Sequence, residues 1–391
     1  MRALIVEPGD TRGALAAARA LGGDGWTVGV GTPSGGGLAS TSRFTSRRHA
    51  VPGPSADLDG FVRGVNAAVA EVGYEVVLAG GDAELMGVSA RREELRLAVP
   101  HPPHGRVLEA LDKLSLGDNA AECGIASPRA VAASDASLSD HGFPLIVKAR
   151  LHAPLVSRKG PSRLESMVAA DRAQAVSRIA QIRASGGEPL LQEFVPGRLM
   201  AYCAVTDSSG SALAAAQQIA DATWPRAAGI SARARTVPID REIAERAGRL
   251  LKRIGWFGLV QLQFVLADGG EAWLIDFNGR LYSSLGLAVR AGANLPAAWA
   301  SLATGRAPNA PVSAVAGVRY HWLEGDVRRV TARGPRAVPA GLLDCASYAQ
   351  GAVRGYWSMR DPLPAVRRTG VFLKRVARKA WGWTSSRQST R

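Results

Sequence analysis

Five consecutive residues, Asp276-Phe277-Asn278-Gly279-Arg280, set a carboxylate, an amide and a guanidinium directly behind the apolar run Ala272-Trp273-Leu274-Ile275. Aspartate and asparagine offer hard oxygen donors of the kind Mg²⁺ takes, and no cluster of cysteine or histidine suits zinc instead. Arg280 can present a rigid two-pronged donor to phosphate or carboxylate. Far upstream, Lys148 ends another apolar run, Pro144-Leu145-Ile146-Val147. Burying such an amine is costly without a partner, and a bound phosphate would supply one. Phosphoryl transfer needs this set of groups, because its catalysis is mostly positioning and the neutralisation of oxygens. Plainer readings stand beside it. Asp276 to Gly279 is also a good turn sequence, and Lys148 can run its stem along apolar surface to reach solvent.

The elements that must position these groups can be read from the pattern. Gly258 to Leu266 alternates as a strand with Gln261, Gln263 and Val265 on one face. Asp268-Gly269-Gly270 then turns into a second strand, Glu271 to Phe277. This hairpin would bring Gln263 beside the Asp276–Asn278 end. Arg2–Val6, the alanine-rich helix Thr11–Leu21 and Trp26–Val30 have the β-α-β order of a parallel sheet covered by helices. A helix near Leu58–Val72 and a strand Glu75–Leu78 extend it, and Gly80-Gly81-Asp82 falls where open α/β sheets place binding loops. Neither glycine loop completes a dinucleotide fingerprint, and no Walker A sequence is present. After a linker at Pro100–Gly105 the pattern predicts one helix over Arg106–Asn119, a strand to Lys148, a helix Asp171–Ala184, a strand Leu190–Val195 and a hairpin from Leu199 to Ile219. A helix Asp240–Gly255 precedes the Gly258 strand, and another lies near Leu295–Thr304.

A chain of 391 residues suggests two or three domains, and 47% hydrophobic residues can fill them. The first residues read as a mature strand and not as a signal peptide, and no apolar stretch is long enough to span a bilayer. Three widely spaced cysteines, Cys123, Cys203 and Cys345, fit neither a disulfide framework nor a metal site, so a reducing cytoplasm is the expected setting. The net charge of +15 is concentrated at one end: from Arg360 onward nine basic residues face one acid, which accounts for +8. A mostly terminal charge without interleaved aromatics argues against a nucleic-acid-binding module.

Lys148, the segment Gln192-Glu193-Phe194-Val195-Pro196-Gly197 and the hairpin through Arg280 occur in a fixed order. Together with Asp112-Lys113, Gly124-Ile125-Ala126-Ser127-Pro128 and the continuation Ser284 to Gly292, this resembles the ATP-grasp superfamily, in its carboxylate–amine ligase branch. The resemblance covers residues 1 to about 305 and implies an α/β fold with α+β lobes and an N-terminal Rossmann-like parallel-sheet domain. It implies a pre-ATP-grasp domain at 1–105, ATP-grasp lobes at 106–310 (a closing lobe at about 130–195, a metal-bearing lobe at about 196–310) and a C-terminal extension at 311–391. ATP would lie between the lobes. Lys113 and Lys148 match nucleotide-contacting lysines, and Gln192, Glu193, Phe194 and Val195 match the segment that reads the adenine edge. The loop Ser157–Arg163, with Ser157 and Lys159, matches the one that closes over phosphates. Asp276, Asn278 and Gln263 stand at metal-ligand positions for Mg²⁺, and Arg280 matches the arginine that steadies a transferring phosphoryl group. Glu193-Phe194 also reads as ordinary core and rim, and Arg158, Lys159 and Arg163 as a solvated cluster.

Two positions depart from the family pattern, which has an acid where Gln263 stands and a glutamate where Asp276 stands. Gln263 can touch Mg²⁺ through its amide oxygen but contributes no charge. Gln217-Gln218-Ile219-Ala220-Asp221 is more neutral than the substrate side of the family, and Arg226, Arg233 and Arg235 are candidates to hold a carboxylate instead, Arg235 being the one expected to take part in catalysis. The implied reaction phosphorylates a small carboxylate with ATP and lets an amine displace the phosphate to give an amide. The alternative is an ATP-binding regulatory or scaffold protein with little or no turnover. A homodimer is an admissible assembly. Near the C-terminus Phe372, Val376 and Ala380 lie four apart, with Lys374, Arg375, Arg378 and Lys379 opposite. This basic amphipathic helix can pack on its own enzyme, rest on an anionic membrane at the inner face, or bind a partner.

Overall fold

The computed structural model describes residues 1–151, 166–226, 228–306 and 311–370. The loop 157–163 and the amphipathic segment 372–381, with Ser157 and Lys159, lie outside the described residues. Three sheets organise the molecule. The first has the order β3-β2-β1-β4 and is parallel throughout, formed by β1 (Arg2–Val6), β2 (Thr27–Thr32), β3 (Arg47–Ala50) and β4 (Val76–Ala79). Its inner strands are buried on both faces, as expected when α1 (Arg12–Gly23) and α2 (Leu58–Val72) cover the two sides. Thr11 and Asp57 cap these helices through side-chain oxygens. α3 (Asp82–Ala90) starts directly after β4, so Asp82 and Glu84 fall in its first turn.

The expected single helix over 106–119 is two: α4 (His104–Leu111) and α5 (Lys113–Glu122). Asp112 between them is extended, with ψ 113°, and its carboxylate caps α5 at the Leu114 N–H. The apolar period continues across the break, so periodicity alone reads through it. The capping side chain and its ion pair with Arg150 stop the first helix.

The second sheet, β5-β8-β6-β7, is antiparallel, from β5 (Ala130–Ala132), β6 (Leu145–Ala149), β7 (Met167–Ala169) and β8 (Pro189–Glu193). α6 (Asp135–Asp140) and α7 (Arg172–Ala184) belong to it, with Ala175, Ile179 and Ile182 of α7 in the local core. The third sheet is larger. It contains β9 (Arg198–Thr206), β10 (Ala212–Trp224), β11 (Ile230–Val237), β12 (Gly258–Leu266) and β13 (Ala272–Asn278), in the order β13-β12-β9-β10-β11. α8 (Arg241–Arg253) lies between β11 and β12, and α9 (Leu285–Arg290) and α10 (Leu295–Ala303) follow β13. The chain after 311 adds β14 (Val312–Ser313) beside β10, and β15 (Arg319–His321) and β16 (Val353–Arg354) beyond β11. α11 (Leu323–Thr331) and α12 (Val338–Ala349) pack there, so this part of the extension is built into the larger sheet.

Two cores meet on that sheet. One joins α1, β1, β2 and β4 to α9 and α10, with Trp299 and Tyr282 fully buried. The other holds Trp256, Phe264 and Phe277, with the Trp256 and Phe277 rings in an edge contact at 4.7 Å. All three cysteines are buried and unpaired.

Candidate active site between two sheets

β12 and β13 are antiparallel partners, with Gln261 opposite Asn278 and Gln263 opposite Asp276. Asp276 and Asn278 are therefore strand residues, and the turn reading of 276–279 does not hold. The strand continues to Asn278 because Gly279 lies against the buried Trp256 ring, where a side chain would collide. Strand spacing then sends Gln261, Gln263, Asp276 and Asn278 to one surface.

A cavity of about 240 Å³ opens over that surface, between the second and third sheets. Its walls include Lys148 and Ile146 from β6, Gln192 and Glu193 from β8, and Phe194 and Val195 just beyond. Its floor includes Gln263, Val265, Ile275 and Asp276, and Arg226 reaches it from the loop before β11. Lys148 is only 4% exposed and donates to the Ile275 carbonyl at 2.8 Å, which ties the two sheets together. Its stem does not lead it to solvent. Burial, reinforced by the nearby Lys113 charge, pushes the Lys148 amine down to about 7 against the pull of Asp276. Lys113, the first residue of α5, is buried as well. It donates to the Arg150 carbonyl at 3.3 Å and stands 3.7 Å from an Asp276 oxygen. The Asp112–Arg150 pair fixes both the start of α5 and the end of β6, and so sets the two lysines relative to each other.

A smaller pocket of about 30 Å³ adjoins the first, sharing Leu199, Ile230 and Gln263 with it. It is lined by Gln261, Asn278, Arg280, Gln218, Ser231 and Ser284, a neutral polar wall around one guanidinium. Gln218 and Ser284 hydrogen-bond each other. Arg280 is 5% exposed. It donates to Asp82 from two nitrogens, at 3.0 and 3.3 Å, and to the Asn278 Oδ1 at 2.6 Å. Asp82 belongs to the first sheet's edge, so this arginine joins all the machinery to the N-terminal sheet. Behind it, burial pushes Glu7 and Glu84 up to about 7 each.

The family model described as "ATP-grasp in the biosynthetic pathway with Ter operon" matches residues 198–326, the stretch that carries β9 to β13. Over that stretch, about a third of the chain, the sequence is similar to an ATP-grasp family. Solved structures agree on the ATP-grasp fold. The L-amino acid ligase from Bacillus licheniformis superposes with a TM-score of 0.59 at 15% identity, covering 78% of this chain and 74% of that one. The N5-carboxyaminoimidazole synthetase from Staphylococcus aureus gives 0.59 at 13%, covering 81% and 80%. The biotin carboxylase domain of the 2-oxoglutarate carboxylase from Hydrogenobacter thermophilus, in complex with MgADP, ADP and bicarbonate, gives 0.60 at 14%, covering 79% and 71%. At such identities the shared property is the fold. No curated protein matches the chain in sequence.

On this ATP-grasp frame the expected residues separate into two groups. Lys148, Gln192, Glu193, Phe194, Val195, Gln263 and Asp276 line one cavity, with Lys113 beside Asp276 and with Asn278 and Arg280 in the adjoining pocket. Arg235 is not brought there: it pairs with Asp221 on the larger sheet, as Arg198 does. Arg233 is buried against Asp326 and Asp344, a structural ion-pair network. Arg226 alone of the three expected arginines faces the cavity. Asp82 was legible only as part of a loop at a strand end. Glu7 and Glu84 carried no motif, although each follows a first-sheet strand at the binding edge of an open α/β sheet.

Proposed function

We propose that this chain is an ATP- and Mg²⁺-dependent ligase that joins a small carboxylate to an amine. The observation that carries the reading is the convergence of Lys148, Gln263 and Asp276 on one cleft between two sheets, with Lys113 standing 3.7 Å from Asp276. In this reading residues 1–105 form the pre-ATP-grasp domain, 106–310 the ATP-grasp lobes and 311–391 the extension. The segment Gln192–Val195 lies along the adenine end, and the two lysines neutralise phosphate oxygens. The donor set fits Mg²⁺: one carboxylate, Asp276, with the amide oxygen of Gln263, is within what that ion accepts when phosphates complete its shell, and the Asn278 oxygen, which accepts from Arg280 at 2.6 Å, would join through its other lone pair. Bound there, the ion would polarise phosphate oxygens as a Lewis acid.

The carboxylate oxygen attacks the γ-phosphorus and ADP leaves. The amine nitrogen then attacks the acyl carbon, phosphate leaves, and the nitrogen gives up a proton. Arg280, oriented by Asp82, would steady the phosphoryl oxygens in both steps. Arg226 is the candidate to hold a substrate carboxylate. Such a ligase draws on the ATP and Mg²⁺ of the cytoplasm.

A second reading, an ATP-binding protein with little turnover, is favoured by one observation: Asp276 is the single carboxylate in the donor set. Incubation with ATP, Mg²⁺ and pooled small acids and amines separates the two. The ligase predicts ADP and an amide in equal amounts. ATP binding with no ADP from any pool supports the second.

A further inference from the structure

The surface of the C-terminal segment pairs outward apolar side chains with an excess of positive charge. Residues 363–370 are helical, with Pro364 and Ala365 turned inward and Leu363 and Val366, three apart, turned outward at 57% and 61% exposure. Met359 just before them is 88% exposed, and Trp357 is also exposed. These side chains are not the mark of a loosely attached end. Asp361 is buried and accepts from Arg19 Nε at 2.8 Å, Ser42 Oγ at 2.7 Å and the Arg43 N–H at 2.9 Å. Arg368 holds Glu324 at 2.8 and 3.0 Å. The segment is clamped to the body at both ends, and its apolar residues point outward all the same.

The charge around them is mainly positive, with Asp10 beside Arg367 at 3.9 Å as the partly exposed acid. Arg43 donates to the Arg360 carbonyl, and Arg360 and Arg367 are exposed on either side of the apolar residues. From Trp357 to Arg391 the single acid is Asp361, which is already buried and paired. The chain beyond 370 adds Lys374, Arg375, Arg378, Lys379, Arg387 and Arg391, with Phe372, Trp381 and Trp383 among them. Apolar side chains that enter the headgroup region, ringed by cations that meet its phosphates, are what an anionic bilayer surface recognises.

We propose that Met359, Leu363 and Val366, ringed by Arg43, Arg360 and Arg367, dock this protein onto an anionic membrane surface. The contact proposed is a peripheral one, and no helix of the described residues is long and apolar enough to cross a membrane. The site for nucleotide lies elsewhere, between the second and third sheets, and this inference does not depend on turnover.

The test is sedimentation of the full-length protein with vesicles of phosphatidylcholine alone, or with about 30% phosphatidylglycerol added. The proposal expects binding to the anionic vesicles only, released by salt. The combined substitution Met359→Ser, Leu363→Ser and Val366→Ser should cut the bound fraction at least about fivefold, and Arg360→Glu should lower it as well, both with unchanged melting temperature. No binding by the wild type, equal binding to neutral vesicles, or binding by both variants equal to wild type would overturn it. So would binding to polyuridylate with vesicles left untouched, which would assign the surface to nucleic acid.

Discussion

Lys148 carries the most specific prediction at the scale of single residues. Its amine is pushed down to about 7 by burial, so between pH 7 and its unfolded value near 10.4 the unfolded chain binds more protons than the folded one. Its contribution to stability therefore rises with pH through that window and is lost as pH falls toward 7. Phosphates in the cleft would restore the charge. ATP binding at pH 8 should take up close to one proton, about 0.9 from that pKa, seen as a buffer-dependent heat in titration calorimetry. Lys148→Ala should abolish the uptake and weaken ATP binding at least about tenfold; an unchanged heat in the variant would remove Lys148 from the nucleotide site. Gln263→Glu should tighten Mg²⁺ binding in the presence of ATP, since it adds charge beside Asp276. Unaltered Mg²⁺ affinity would mean that position 263 does not face the ion. The types and order of these residues were readable in the sequence. Their commitments were not: Arg233 and Arg235 look as available as Arg226 until Asp326, Asp344 and Asp221 are seen to hold them.

At the scale of elements, the hairpin was legible because alternation and an Asp-Gly-Gly turn both specify it, and register follows from the turn. Its end was not, because Asp-Phe-Asn-Gly also suits a turn and only Trp256 behind Gly279 explains the continued strand. Gly279→Ala should therefore overpack the core, costing about 1–3 kcal/mol in chemical denaturation, and should displace Arg280. Wild-type stability in that variant would contradict the packing argument. The break at Asp112 was hidden for a different reason: a single capping carboxylate overrides a continuous apolar pattern. Asp112→Ala removes that cap and should cost about 1–2 kcal/mol. It should also raise the KM for ATP, because Arg150 and Lys113 lose their shared anchor. A purely structural role would lower the melting temperature and leave KM where it is.

For the whole molecule, the three sheets divide the work. The second and third enclose the cavity, and the first reaches the adjoining pocket through Asp82 and Arg280. In the first sheet β3 lies in the basic stretch Arg47–Ala50, which has no apolar alternation to detect, whereas the β-α-β order made β1, β2 and β4 readable. The enlargement of the third by strands after 311 was not, since two- and three-residue strands leave no period to detect. Asp326, wholly buried, secures that enlargement by accepting from Arg233, Arg329 and His321. Although burial opposes its ionisation, those donors hold its carboxyl well below the ordinary range. Asp326→Ala leaves the buried Arg233 and Arg329 with only the exposed Asp344 as counter-ion and should cost about 3 kcal/mol, read as a fall in the denaturation midpoint.

The ligase reading as a whole is tested most directly by the fate of oxygen. With pooled acids labelled with ¹⁸O in the carboxylate, unlabelled ATP and pooled amines, the released phosphate is analysed by mass spectrometry. Phosphorylation of the carboxylate predicts one ¹⁸O in each phosphate formed with amide. Phosphate released without label, alongside the same amide, would contradict it.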